Sequence, residues 1–290
     1  MTISLVVLRC RTSDRTDGAG RGAEALGRSL GERLGMEPRI VGSAGNARPT
    51  DWSDDLRESR GCILEAGGQV DDALVRGAFP VLLASDCSIC LTTLAAVARH
   101  EPDARFLWLD AHGDFNTPDT TPSGFLGGMC LAAACGRWEA DEYMFPAPTS
   151  GRRSDEELVL RARYPAPIDP ARVVMAGVRD LDSGERAELD FAGIGVVRAS
   201  ELPDRLRGEP VFIHLDLDVL DPDVLPAQFP APRGMSAPGL RTLLSELAGA
   251  ARVVGVEVTA LEAPADAEER AALVDVVASV VMPLLEVAAR

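Results

Sequence analysis

Two acidic clusters hold the residues of this chain best suited to chemistry. The first is Asp110-Ala-His112-Gly-Asp114-Phe-Asn116. The second, far later in the chain, is Asp216-Leu-Asp218-Val-Leu-Asp221-Pro222. Together they supply five carboxylates and one imidazole. Five buried carboxylates would repel one another strongly unless cations lay between them. An oxygen-rich donor set suits hard divalent ions such as Mn²⁺ or Mg²⁺ better than Zn²⁺. A single Asp-x-Asp is as readily a turn or a helix cap. Two such clusters, each closing an apolar run, point to a metal centre.

The elements that must position these residues are legible around them. Phe106-Leu-Trp-Leu109 precedes the first cluster, and Phe212-Ile-His-Leu215 precedes the second. Both read as buried strands. In an open α/β sheet, ligands bind beyond the carboxyl ends of the strands. Strand and helix patterns alternate along the whole chain, which implies an α/β fold: three layers, α/β/α, around a mostly parallel, doubly wound sheet. Strands are expected at Ile3–Leu8, Phe79–Ala84, Ala104–Asp110, Arg172–Gly177, Ile194–Val197, Val211–His214 and Val253–Val258. Helices are expected at Ala23–Leu34, weakly at Gly68–Gly77, up to His100, at Gly128–Cys135, after Glu185, at Gly239–Ala248 and over the last residues. Residues 44–55, 116–128 and the proline-rich 222–238 read as loops. Asp141–Tyr164 has no assignable pattern. No linker or repeat interrupts the chain, so residues 1–290 are expected to form one domain.

Composition narrows the function. The 290 residues are 46 % hydrophobic and 26 % charged, ordinary for a soluble globule, with a net charge of −16. That charge argues against nucleic acid and anionic membrane surfaces and suits a small cationic substrate. The six cysteines, with no secretion signal, read as reduced thiols, and the expected location is cytoplasmic. The apolar stretch at the C-terminus contains Asp275, Pro283 and Glu286, and reads as a buried helix rather than a membrane span. His100 reads as a helix-end surface residue. His214, inside a strand, reads as a packed residue. Cys90, Cys130 and Cys135 read as small core hydrophobes.

DAHGDFN and DLDVLDP resemble the two Asp-rich motifs of the ureohydrolase family, which includes arginases and agmatinases. The resemblance runs from about Phe79 to the end of the chain. It implies hydrolysis of a guanidino group at two Mn²⁺ ions. It makes Asp110 and Asp216 the carboxylates that bridge both ions, Asp114 a ligand of one, and His112 and Asp218 ligands of the other. Asn116 and Ser123 fall on positions that grip a substrate α-carboxylate. Asp182, in Val178-Arg-Asp-Leu-Asp182-Ser-Gly-Glu185, falls on the position that binds the α-amino group. Glu257 is similar to the glutamate that receives the guanidinium. Asp114 and Glu257 are thus the expected catalytic residues. The resemblance leaves a homo-oligomer open.

Three departures shape the expected activity. Ala84-Ser-Asp-Cys87-Ser88 stands where the family has Gly-Gly-Asp-His-Ser, so Cys87 replaces a metal-binding His. Gly127 stands where arginases carry a His that shuttles protons. Gln228-Phe-Pro-Ala-Pro232 replaces Thr-Gly-Thr-Pro. As a thiolate, Cys87 would weaken its ion as a Lewis acid; as a neutral thiol it would bind poorly. Manganese is not thiophilic, so the Cys87-side ion is expected to be the labile one. Cys87 and the run through Gly127-Gly128 resemble the Nω-hydroxy-L-arginine amidinohydrolases of D-cycloserine-type biosynthesis, which yield hydroxyurea and L-ornithine.

Overall fold

A computed structural model describes residues 1–144 and 166–289. Most of the unassigned stretch Asp141–Tyr164 lies outside the described residues. Eight strands form one all-parallel sheet: β1 (Ile3–Leu8), β2 (Arg39–Val41), β3 (Phe79–Leu83), β4 (Arg105–Leu109), β5 (Val173–Ala176), β6 (Val196–Val197), β7 (Pro210–Asp216) and β8 (Arg252–Thr259). Their order across the sheet is β2-β1-β3-β8-β7-β4-β5-β6. Every strand expected from the sequence is present. The short β2, whose Arg39 and Ile40 are exposed, carried no apolar signal.

Period-two alternation divides the core between two layers. Phe106, Trp108 and Phe212 point to one face, where the Trp52–Val75 and Cys90–His100 helices pack. Leu107, Leu109, Ile213 and Leu215 point to the other, against the Gly18–Leu34, Ala237–Ala250 and Ala267–Ala288 helices. The last of these is long and apolar enough to cross a membrane by length and composition. Here Val277, Val281 and Leu285 are buried in the second core layer.

Two sequence expectations need correction. Residues 44–55 are not all loop: Asp51 accepts a hydrogen bond from Ser53 N, and the Trp52–Val75 helix starts there. Its glycines and polar face hid a helix of 24 residues behind the weak signal at Gly68–Gly77. The cysteines are not all reduced. Cys10, just past β1, and Cys62, on that helix, form a disulfide with Cα atoms 6.0 Å apart. A sequence separation of 52 gave no hint of the pair. The other four cysteines are free and buried.

The four central strands, β3, β8, β7 and β4, end side by side, so their C-terminal residues meet. The turn after β5 supports this edge. Gly177 has φ +91°, and a Cβ there would lie 2.5 Å from Val219 Cγ2 and 2.9 Å from the Asp110 carbonyl oxygen. Gly177→Ala is therefore expected to cost about 2–4 kcal/mol, through left-handed strain and overlap. Gly195→Ala, with open space at its Cβ, should stay within about 0.5 kcal/mol of the parent. Thermal unfolding compares them; equal midpoints would contradict this role of Gly177.

Candidate metal centre and substrate cavity

Asp110 follows β4, and its Oδ1 accepts from His112 N at 2.7 Å. Asp216 ends β7 and accepts from Asp218 N at 2.7 Å. These Asx turns hold each pair of acids at the end of its strand. Asp114 adopts φ +51°, a left-handed conformation that Asp tolerates better than most residues. Its carbonyl accepts from Leu131 N and Ala132 N. Asp110, Asp114, Asp216 and Asp218 are all buried.

Two overlapping donor groups result. Asp110, His112 and Asp218 each place a ligand atom within 4.8 Å of the others. So do Cys87, Asp110, Asp114 and His214. Asp110 belongs to both groups. Asp216 joins the second group at Cys87, whose Sγ donates to Asp216 Oδ2 at 2.8 Å and lies 3.2 Å from Thr259 Oγ1. Asp110 Oδ2 has no hydrogen-bond partner among the described residues. A buried carboxylate oxygen without a partner, beside three more acids, suits a cation. The donors thus fit a pair of divalent ions. Asp221, the fifth carboxylate of the sequence, stands apart. It accepts from Asp223 N and Gly234 N and anchors a turn.

Electrostatics express the same crowding. Burial, then the neighbouring Asp218, pushes the Asp216 carboxyl up to about 7. Burial and Asp110 raise Asp114 well above the usual carboxylate range. Burial and the surrounding aspartates also raise the Cys87 thiol. Burial opposes a charge on His112, but the carboxylates of Asp110 and Asp218 outweigh it and push that imidazole up to about 12. Its Nδ1 lies 3.0 Å from Asp218 Oδ2.

A cavity of about 370 Å³ opens above these groups. Cys87, His112, Asp114, Asp216 and Asp218 line its floor, and Asn116, Ser123 and Asp182 line its wall. Asn116 Nδ2 donates to Asp182 Oδ2 at 3.2 Å, so the two expected substrate contacts are paired with each other. Ser123 is exposed at the mouth, its Oγ accepting from Phe125 N. Glu257 sits elsewhere. It is fully buried, outside the cavity lining, with Oε1 2.7 Å from His214 Nδ1. It lies one pleat repeat below the strand end, in register with His214. The residue that β8 does present to the metal groups is Thr259.

Several functional positions escaped the sequence reading. Glu185 Oε1 accepts from Phe115 N at 3.0 Å and Oε2 from Asp182 N at 3.3 Å, so it ties the Asp114 loop to the helix that carries Asp182. Arg179 donates to the carbonyls of Asp218, Leu220 and Ala231, fixing the second acidic loop to the Gln228–Pro232 segment. That segment brings Phe229 to 4.9 Å from the Phe125 ring, over the cavity. Gly127 does not leave room where a His side chain would be: a Cβ there would lie 2.4 Å from Phe125 Cε1 and 2.7 Å from Asp86 Oδ2. Asp14 and Glu262 also line the cavity.

A sequence model of the Arginase family matches residues 19–285. The chain belongs to the arginase family. It is an amidinohydrolase of that family, whose members depend on a binuclear metal centre. The N(omega)-hydroxy-L-arginine amidinohydrolase of Streptomyces lavendulae is 35 % identical over 292 residues, covering 99 % of this chain and 98 % of that protein. The arginase of Bacillus caldovelox is 38 % identical over 172 residues, 54 % of this chain and 52 % of that protein. The solved arginase structure from the same organism superposes with a TM-score of 0.73 at 29 % identity, over 98 % of this chain and 97 % of that one.

The raised carboxyls make a stability prediction for the metal-free protein. Burial lifts Asp216 from 3.8, and Glu185 from 4.5, to about 7 in each case. A carboxyl whose folded pKa is raised stabilises the fold below its ordinary value and loses that contribution as pH rises through the folded one. Chelator-treated protein should therefore show a falling unfolding midpoint from about pH 4 to about pH 7. Bound cations favour the ionised carboxylates, so metal-loaded protein should not show this fall. A midpoint for the stripped protein that rises through this window would contradict the assignment.

Proposed function

We propose that this chain hydrolyses Nω-hydroxy-L-arginine to hydroxyurea and L-ornithine, using two Mn²⁺ ions of which the Cys87-side one is held more weakly. Asp110, His112, Asp114, Asp216, Asp218 and Cys87 would hold the pair. When bound, such ions acidify water and so supply the nucleophile. Water adds to the guanidino carbon, the C–Nδ bond breaks, and the δ-amine of ornithine leaves with a proton.

The observation that carries the reading is the filled place beside Gly127. Among the described residues His112 is the one imidazole lining the cavity, and it is engaged by Asp218. The Phe125 ring and the Asp86 carboxylate occupy the space into which a side chain at position 127 would extend. An unmodified guanidinium, with a pKa above about 12, is resonance-stabilised and hard to attack. An N-hydroxyl withdraws electron density, lowers that basicity and makes the neutral form accessible, so the substrate needs less help from the protein. Asp114, raised by burial among acids, is the chain's own group placed to carry the leaving-group proton. The full-length likeness to the Streptomyces lavendulae enzyme supports the same substrate.

The acids lining the cavity suit a cationic ligand, and the wall suits an amino acid. Asp182 is assigned to the α-ammonium, with Asn116 and Ser123 to the α-carboxylate. Substrate entry would exchange the Asn116–Asp182 hydrogen bond for contacts to these groups.

Mn²⁺-loaded protein assayed on Nω-hydroxy-L-arginine, L-arginine and agmatine should rank them in that order by kcat/KM, with urea or hydroxyurea measured directly. Equal or better turnover of L-arginine would make this an ordinary arginase. Asp182→Ala removes one charge-assisted contact, worth roughly 1.5–3 kcal/mol. It should lower kcat/KM for the amino acid on the order of ten- to a hundredfold and leave agmatine hydrolysis little changed. Equal losses on both substrates would remove Asp182 from α-ammonium recognition.

A further inference from the structure

A row of side chains crosses the sheet beneath the metal groups. In register, Trp108 of β4 pairs with His214 of β7, which pairs with Glu257 of β8. Two residues further along the same strands come Asp110, Asp216 and Thr259, on the same face because the pleat repeats every second residue. His214 is held on two sides and buried. Its ring stacks on Trp108 with centroids 3.6 Å apart and planes 6° from parallel. Its Nδ1 lies 2.7 Å from Glu257 Oε1. The residue is 1 % exposed. Nε2, however, has no hydrogen-bond partner among the described residues. A buried ring nitrogen is costly to leave without a partner. The ligand atom that His214 offers lies within 4.8 Å of those of Cys87, Asp110 and Asp114.

We propose that His214 Nε2 is a ligand of the Cys87-side metal. The imidazole absent from position 87 is supplied from below, by the strand that also carries Asp216. Glu257 is then a positioning residue. It accepts the Nδ1 proton and leaves the Nε2 lone pair for the ion, the arrangement in which a carboxylate fixes the tautomer of a metal-bound imidazole. Trp108 keeps the ring from turning. The second group thereby becomes one thiol, one imidazole and the carboxylates of Asp110, Asp114 and Asp216, a donor set that accepts borderline ions such as Zn²⁺ and Co²⁺ as well as hard ones. The inference rests on the metal centre and is independent of which guanidino compound is hydrolysed.

The chain has three histidines, so ¹⁵N-histidine labelling tests this on the unaltered protein. Chelator-stripped full-length protein is titrated with Zn²⁺, which is diamagnetic, and the ring nitrogens are followed by NMR. The expected result is that His112 responds, and that His214 Nε2 also moves to a metal-bound position by the second equivalent while Nδ1 keeps its proton. His100, at the surface beside Asp71, should not respond. A His214 Nε2 resonance unchanged after two equivalents have bound would overturn the proposal. Metal content supplies a second readout. After dialysis, His214→Gln should retain one Zn²⁺ per chain where the parent retains two. Glu257→Gln should weaken the second equivalent by about ten- to a hundredfold. Far-UV circular dichroism establishes that each variant is folded. If His214→Gln is folded and keeps both ions at parental affinity, His214 is a packed residue only. If it does not fold, the resonance of the parent decides.

Discussion

Asp110, Asp114, Asp216 and Asp218 are buried together at the carboxyl edge of the sheet. Like charges there are screened poorly by water and repel one another strongly. Burial and that repulsion together raise the carboxyls of Asp114 and Asp216, and the carboxylates of Asp110 and Asp218 raise the His112 imidazole. Bound cations remove the conflict. The binuclear metal dependence of the arginase family and the burial of these acids are therefore two sides of one constraint. The left-handed Asp114, the Asx turns at Asp110 and Asp216, and the unpartnered Asp110 Oδ2 all serve to aim oxygens at a shared centre.

The sheet makes the crowding possible. Four parallel strands that are adjacent in space, but distant in sequence, end together. Their alternation places one row of polar side chains at the edge and a second row a pleat repeat deeper. Within the deeper row, the polar His214 and Glu257 lie against a core layer of apolar side chains that includes Trp108. Burying an ionisable pair in such a layer costs free energy unless the pair is well hydrogen-bonded or serves a neighbour. Outside the sheet, Arg179 and Glu185 do the holding. One bundles the carbonyls of the second acidic loop with the Gln228–Pro232 segment, and the other joins the Asp114 loop to the helix that begins after Asp182. Both are charged residues that act through backbone groups and lie off the reacting centre.

The cavity mouth differs in kind from its floor. Phe125 and Phe229 close over polar ligands, and Phe125 fills the space next to Gly127 that a longer side chain would need. An apolar cover limits water and strengthens the interactions beneath it. The Gln228–Pro232 segment supplies half of this cover through Phe229.

What the sequence determined by itself is the metal chemistry and the order of elements. Asp110-x-His112-x-Asp114 and Asp216-x-Asp218 stand at strand ends recognisable from apolar runs, and short-range pattern is enough to read both. The parallel sheet followed from alternation alone. What only the tertiary structure decided depends on distance in sequence. The Cys10–Cys62 disulfide links an element pair with no local signature. The Trp52–Val75 helix forms despite its internal glycines because it packs on the Cys90–His100 helix and the core. Register sets Glu257 one pleat below the strand end, against His214. His214 itself reads as a packed strand residue, and it is packed. Which of its ring nitrogens lacks a partner, and what that nitrogen faces, depends on β4 and β8 arriving on either side of β7, with β3 beyond β8, and no local pattern along one strand contains that information.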